Sequence, residues 1–169
     1  IFMNFEYLNK MIEYIEENLN EVIDYNNLAK IVGVSEYSLQ RIFIFLTNMS
    51  LAEYIRKRRL SRAYEDIKTT NDRIIDIAIK YQYESSISFS RAFKNLFGVS
   101  PTECRKSAND YKQFPIIKFK DNVNQSDELN YKIKKLQNSQ RLASSREKLQ
   151  QIIESKKELE TLEIDGVSK

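Results

Sequence analysis

The sequence contains no histidine. That removes the commonest general base, the commonest metal ligand and every Ser-His or Cys-His pairing. A single cysteine, Cys104, excludes an internal disulfide and fits a reducing compartment. Three glycines and two prolines in 169 residues are too few for the tight turns of an all-β chain. No apolar run is long enough to span a membrane and no signal peptide is recognisable, so a cytoplasmic protein without a membrane partner is expected. No carboxylate cluster has ligand spacing. Catalytic residues, metal ligands and cofactors are therefore not expected, and an enzyme is the poorest reading. Strong net charge is missing too: the chain carries +3, and residues 1–114 hold 16 basic against 15 acidic side chains. Any nucleic-acid binding must come from where charge is placed, not from its total.

Apolar residues make up 41% of the chain, enough for one core and an appendage. The stretch from Ser50 to Ile67 organises the rest. It has no Gly or Pro, and Ser50 with Glu53 has the spacing of a capping box. Leu51, Tyr54, Ile55, Ala63, Tyr64 and Ile67 form an apolar stripe, while Arg56, Lys57, Arg58, Arg59 and Arg62 crowd the other surface. Those basic residues read either as phosphate contacts or as a solvated face. On either side lies the same module. Over residues 35–56 against 85–106, seven of 22 positions are identical, including Ser35/Ser85, Arg41/Arg91, Phe43/Phe93 and Ser50/Ser100. Two copies are too few for a solenoid.

Met3 reads as the natural start, with Ile1 and Phe2 foreign to it. Leu8, Met11, Ile12, Ile15 and Leu19 predict a helix over 5–19. Asn26 or Asn27 caps a short helix over 28–32, Gly33 supplies a left-handed turn and Ser35 caps the next helix. That helix buries Leu39, Ile42, Phe43 and Leu46 and turns Glu36, Tyr37, Gln40, Arg41 and Ile44 outward. A short helix, a sharp turn and an amphipathic helix form a helix-turn-helix pattern. In the major groove Gln can pair with adenine and Arg with guanine. In the second copy Asp72 caps a helix over 74–81, and Ala78 and Gln82 take the places of Ala29 and Gly33. Ser85 then caps a helix that buries Phe89, Ala92, Phe93 and Leu96 and faces out with Ser86, Ile87, Ser90, Arg91 and Lys94. Gly98 stops it, and Ser100, Pro101 and Glu103 open a last short helix. Cys104 aligns with Tyr54 and is expected to be buried.

The run SxSFSRAFKNLFGVSPTECRK, preceded by IIDIAIKYxYES, LAKIVGVSEYSLQRIF and YIRKRRLSRA, resembles the DNA-binding domain of AraC/XylS-type transcription regulators over roughly residues 5–106. The resemblance implies two helix-turn-helix units, about 26–48 and 73–98, on a rigid linker helix, 50–68, within a domain spanning 5–108. Their recognition helices would enter adjacent major-groove segments of double-stranded DNA about 34 Å apart. It places Tyr37, Gln40 and Arg41 on base-reading positions of the first, and Ile87, Ser90 and Arg91 on or beside those of the second. It also implies a nucleoid-associated activator that contacts RNA polymerase.

Three residues depart from the pattern. Gln82 stands where the family usually has glycine, so the second turn is expected to be looser or differently shaped. Ile44-Phe45 replaces a basic pair; either both pack against this chain or they form a partner surface. Ile87 replaces a polar residue; it either touches a thymine methyl or weakens base reading. These departures keep a second hypothesis open, a protein-interaction module of the same fold with weakened DNA binding. The fold class expected is mainly all-α, followed by a mixed β/α tail over 109–169. Within that tail, 116–120 and 131–136 alternate like short strands, and the segment resembles part of an effector-binding domain. Leu142, Leu149, Ile152, Ile153 and Leu159 predict a charged helix over 139–162 that is a candidate for self-association, although Lys156 breaks any heptad.

Overall fold

The computed structural model describes residues 4–120, 131, 134, 135 and 138–156; Met3 and residues 157–162 of the tail lie outside them. The chain divides into two compact units, and the larger is Asn4–Lys120. It is built from α1 (Phe5–Glu17), α2 (Tyr25–Val32), α3 (Glu36–Thr47), α4 (Leu51–Thr69), α5 (Ile74–Lys80), α6 (Ser86–Phe97) and α7 (Pro101–Lys106).

Local chemistry sets most helix starts. The Ser35, Ser50, Ser85 and Ser100 hydroxyls each accept a bond from the amide three residues on. Such caps satisfy amides that the helix itself cannot, each worth about 1 kcal/mol. Ser100 and Glu103 form a full capping box behind Pro101. Two caps differ from expectation. Asp24, not Asn26 or Asn27, caps α2: its carboxylate accepts the Asn26 amide at 2.9 Å, so the helix starts three residues earlier. Asp72 does not cap α5. Arg73 holds the cap position without a side-chain cap bond, and its guanidinium instead grips Asp76 at 2.7 and 3.0 Å.

α4 carries the architecture. Its first half packs on α3 and its second half on α5, α6 and α7. Tyr54, Ala63 and Ser61 are wholly buried, and Arg58 is 4% exposed. Around the first half, Tyr54 meets Phe43 at 5.6 Å between ring centres. Around the second, Phe93 meets Phe97 at 4.5 Å and Phe97 stacks on Tyr64 at 5.2 Å. Offset and edge contacts of this kind add to simple burial. Cys104 is fully buried, as expected.

Among the described residues neither expected strand forms. Residues 116–120 are extended but irregular, and 131, 134 and 135 are helical. The alternation over 116–120 has another cause: side chains, not a neighbouring strand, take up the backbone groups. Residues 107–119 run along α4 and onto α1. The Lys68 ammonium donates to the Ser107 and Asn109 carbonyls at 2.7 and 3.1 Å. The Tyr64 hydroxyl accepts the Tyr111 amide at 3.0 Å, the Ser61 hydroxyl the Phe114 amide at 2.9 Å, and the Tyr54 hydroxyl the Ile117 amide at 3.2 Å. Asn9 on α1 brackets the Phe119 peptide, donating and accepting at 2.8 Å each. Arg58 donates to the Phe114 carbonyl and forms a two-bonded pair with Glu16 at 2.7 and 2.9 Å. Arg58 thus ties α4 to α1 and to this strap together.

In the other unit, the helix over 138–156 leaves Leu142, Leu149, Ile152 and Ile153 from 44% to 65% exposed. No described helix is long and apolar enough to cross a membrane.

Two outcomes follow for stability. Arg58→Ala strands Glu16 and one strap carbonyl, and is expected to cost about 3 kcal/mol in urea unfolding. Burial pushes the Tyr54 phenol up to about 12 from its ordinary value of 10.0, and burial raises those of Tyr25, Tyr81 and Tyr83 as well. Between these values the unfolded chain has released protons that the folded chain keeps, so stability falls as pH rises. The urea midpoint is expected to hold below about pH 10 and to drop from there towards pH 12, less steeply in Tyr54→Phe.

Candidate nucleic-acid interface

Each recognition helix follows a turn that the sequence builds locally. Between α2 and α3, Gly33 sits at φ +82°, and the Gly33 and Val34 amides both donate to the Ala29 carbonyl at 2.8 and 3.1 Å. A β-carbon at Gly33 would meet nothing within 4 Å, so only the backbone conformation asks for glycine. Between α5 and α6 the corresponding residue is Gln82, held at φ +68°. The turn is nevertheless closed: the Tyr83 amide donates to the Ala78 carbonyl at 2.9 Å, as Val34 does to Ala29. The second turn is as closed as the first but differently shaped, as the missing glycine led one to expect: the Gln82 amide donates to the Ile79 carbonyl at 3.0 Å, whereas the Gly33 amide donates to Ala29. Gln82 finds a compensating partner, its side-chain amide donating to the Asn20 carbonyl at 2.8 Å.

α3 and α6 then present matching outward stripes, each about two turns long. On α3, Tyr37 is 61% and Ile44 48% exposed, with Arg41 exposed between them. Gln40 and Glu36 are partly exposed beside that stripe. On α6, Ile87 is 71% exposed, Arg91 and Lys94 are exposed, and Ser86 and Ser90 are partly so. The residues singled out from the sequence thus lie on two helix faces and do not converge into one cavity. That suits an extended polymer better than a small ligand. Among the described residues, no group of three or more acidic or cysteine side chains is placed to hold a metal ion.

The two stripes differ in how their arginines are held. The Arg41 guanidinium lies 5.6 Å from the Tyr37 ring centre and donates to its hydroxyl at 3.3 Å. The Arg91 and Lys94 side chains make no hydrogen bond or ion pair with the described residues. Ile44, half exposed, extends the α3 stripe as apolar surface, while Phe45 is partly buried.

The linker's basic run divides in a way the sequence did not reveal. Arg58 is buried in its pair with Glu16. Arg59 donates to the Leu19 and Glu21 carbonyls at 2.8 Å each, and burial pulls its pKa below the ordinary value. Lys57 pairs with Glu53 at 3.1 Å and lies over the Phe114 ring, and Arg62 reaches Glu65 at 3.3 Å. Arg56 and Arg62 are both exposed, and of the five only the Arg56 side chain makes no hydrogen bond or ion pair with the described residues. One signal for the buried members was present: Tyr54, Arg58, Ser61, Tyr64 and Lys68 repeat at 4, 3, 3 and 4, one helix face tipped with polar atoms.

α4 also connects the two faces, since α3 and α6 both pack on it. Its 19 residues span about 28 Å at about 1.5 Å each, close to the roughly 34 Å between successive major-groove segments on one face of DNA.

A family model described as a helix-turn-helix domain matches residues 28–107. The HTH-type transcriptional activator AarP of Providencia stuartii is 36% identical over 110 residues, covering 65% of this chain and 82% of that protein. The regulatory protein SoxS of Salmonella typhimurium is 39% identical over 95 residues, covering 56% of this chain and 89% of its own length. Among solved structures, an AraC-type transcriptional regulator from Chromobacterium violaceum superposes with a TM-score of 0.57 and 28% identity, over 60% of this chain and 90% of that one. The DNA-binding domain of AdpA, solved in complex with a target DNA, has the same fold, with a TM-score of 0.53 and 22% identity over 59% of this chain and 89% of its own. With both helix-turn-helix units, their caps and the linker helix in place, the chain belongs to the AraC/XylS-type family of DNA-binding transcription regulators.

Proposed function

We propose that one copy of this chain reads an asymmetric DNA site with α3 and α6 in adjacent major-groove segments. The observation that carries this reading is the pair of outward stripes, Tyr37-Arg41-Ile44 and Ile87-Arg91-Lys94, borne by one continuous helix. Arg41 and Arg91 pair with guanine edges, and Gln40 with adenine. Glu36, Ser86 and Ser90 line the same faces, while Lys94 and Arg56 contact phosphate and fix register. Ile87, with no polar atom to offer, reads a thymine methyl. Because the two stripes differ, the two halves of the site differ.

The regulatory step is contact with RNA polymerase beside a promoter, acting as an activator at the nucleoid. Support comes from AarP, an activator of which this chain covers 82%. Residues 109–169 serve as an appendage, and self-association through 139–162 is supported by the exposed Leu142, Leu149, Ile152 and Ile153. A second reading, a protein-interaction module with weakened DNA binding, is favoured by Ile44, 48% exposed where phosphate contacts would otherwise lie.

Selection of the purified chain against random duplexes in moderate salt tests the first reading. Two short blocks about one turn apart are expected. Arg41→Ala and Arg91→Ala should each erase the preference in one block and leave the other, at a cost of about 1–3 kcal/mol apiece. If nothing is enriched and binding vanishes with added salt, the two-headed reader is wrong and the interaction module stands. A double Arg41, Arg91 variant with unchanged promoter output would also dismiss it.

The Tyr37 ring and hydroxyl hold Arg41 before DNA arrives, so less side-chain freedom remains to be lost on binding. Tyr37→Ala is expected to lower affinity about twofold to tenfold at the block read by Arg41, and Tyr37→Phe by less, in a fluorescence anisotropy titration.

A further inference from the structure

The two modules share α4, and they also touch each other directly beside the loop between α1 and α2. The main helix packings run α1–α2, α2–α3 and α3–α4 on one side, and α4–α5, α5–α6, α4–α6 and α4–α7 on the other. The loop between α1 and α2 lies outside these packings. There three successive carbonyls are engaged from outside their own module's helices. Leu19 and Glu21 accept from Arg59 of α4, and Asn20 accepts from Gln82, 62 residues away in the turn of the second module. A cleft of about 260 Å3 lies at this joint, lined by Val22, Ile23, Tyr25, Ile55, Arg59 and Gln82.

Gln82 is an unlikely occupant of its position on local grounds. A residue with a β-carbon at φ +68° costs about 1 kcal/mol relative to glycine, and the equivalent turn in the first module uses Gly33. Glycine there would close the turn just as well, because the bonds that close it are backbone bonds. What glycine cannot supply is the arm to Asn20. The strain is therefore coupled to a contact between modules and to nothing within its own.

We propose that Gln82 is a positioning residue: its bond to Asn20 fixes the angle between the two helix-turn-helix modules, and so the spacing between the two DNA blocks that the chain accepts. This rests on the two-block reading above. One base pair more or less between the blocks moves the second by about 3.4 Å and turns it by about 35°. Binding such a site requires the modules to rotate about α4 and the Gln82–Asn20 bond to break. On the matched site the bond is kept in the free and bound states alike. It thus contributes to discrimination between spacings and not to affinity for the best one.

Gln82→Gly removes the arm and relaxes the turn; Gln82→Ala removes the arm and keeps the strained turn. Both are titrated by anisotropy on the duplex chosen by the wild-type chain and on versions with one base pair added or deleted between the blocks. Circular dichroism confirms that both variants fold. Affinity for the chosen duplex should stay within about twofold of wild type. The penalty for altered spacing should shrink about threefold to tenfold in both variants, the worth of one hydrogen bond. An unchanged spacing penalty overturns the proposal. So does an equal loss on all three duplexes, which would make Gln82 a DNA contact or a stability residue. A wild-type chain indifferent to spacing would instead overturn the two-block reading itself.

Discussion

The structure depends on α4 being buried on two sides at once. A 19-residue helix that only bridged two domains could be polar all round; this one buries Leu51, Tyr54, Ile55, Leu60, Ala63, Tyr64 and Ile67, with Tyr54 against Phe43 of the first module and Tyr64 against Phe97 of the second. Each module is too small to form an adequate core alone, and each borrows one wall from the same helix. α3 and α6 are then held apart by one continuous helix on which both pack, and hydrogen bonds within α4 keep that frame nearly constant.

The strap over residues 107–119 strengthens the same constraint. It adds no strand partner, yet its amides are satisfied because α4 offers Tyr54, Ser61 and Tyr64 hydroxyls in a row. Arg58 joins the strap to α1 through α4. Buried guanidinium groups are tolerated only when their donors are matched by acceptors, and here a carboxylate and a carbonyl do so. Positive charge that looks available for phosphate in the sequence is therefore partly spent inside. In the DNA-reading role proposed above, the charge left for DNA is that of Arg41, Arg91, Lys94 and Arg56, which suits a protein whose net charge is only +3.

Most of the candidate site was legible because it is made of local patterns. Ser35 and Ser85 announce the recognition helices, the 3–4 spacing of Leu39, Ile42 and Phe43 or Phe89, Ala92 and Phe93 defines their inner faces, and the outward residues follow by subtraction. Local chemistry misled where neighbouring caps competed: Asp24 pre-empts Asn26 and Asn27, and Arg73 prefers Asp76 to a cap made by Asp72. It misled again over 116–120, where the alternation that marks a half-buried strand arises from an extended segment lying on helices.

What the chain determined by itself is everything decided within about four residues: helix starts and stops, the glycine turn at Gly33, the duplicated module and the faces that α3 and α6 expose. These depend on backbone geometry and short-range bonds, which leave a periodic trace. Only the tertiary structure decided which arginines are structural, what satisfies the strap, and what Gln82 gains at a position suited to glycine. Glu16 and Arg58 are 42 residues apart, and Asn20 and Gln82 are 62 apart. A partner chosen by packing at that distance has no period, so it is visible only once the modules are folded around α4.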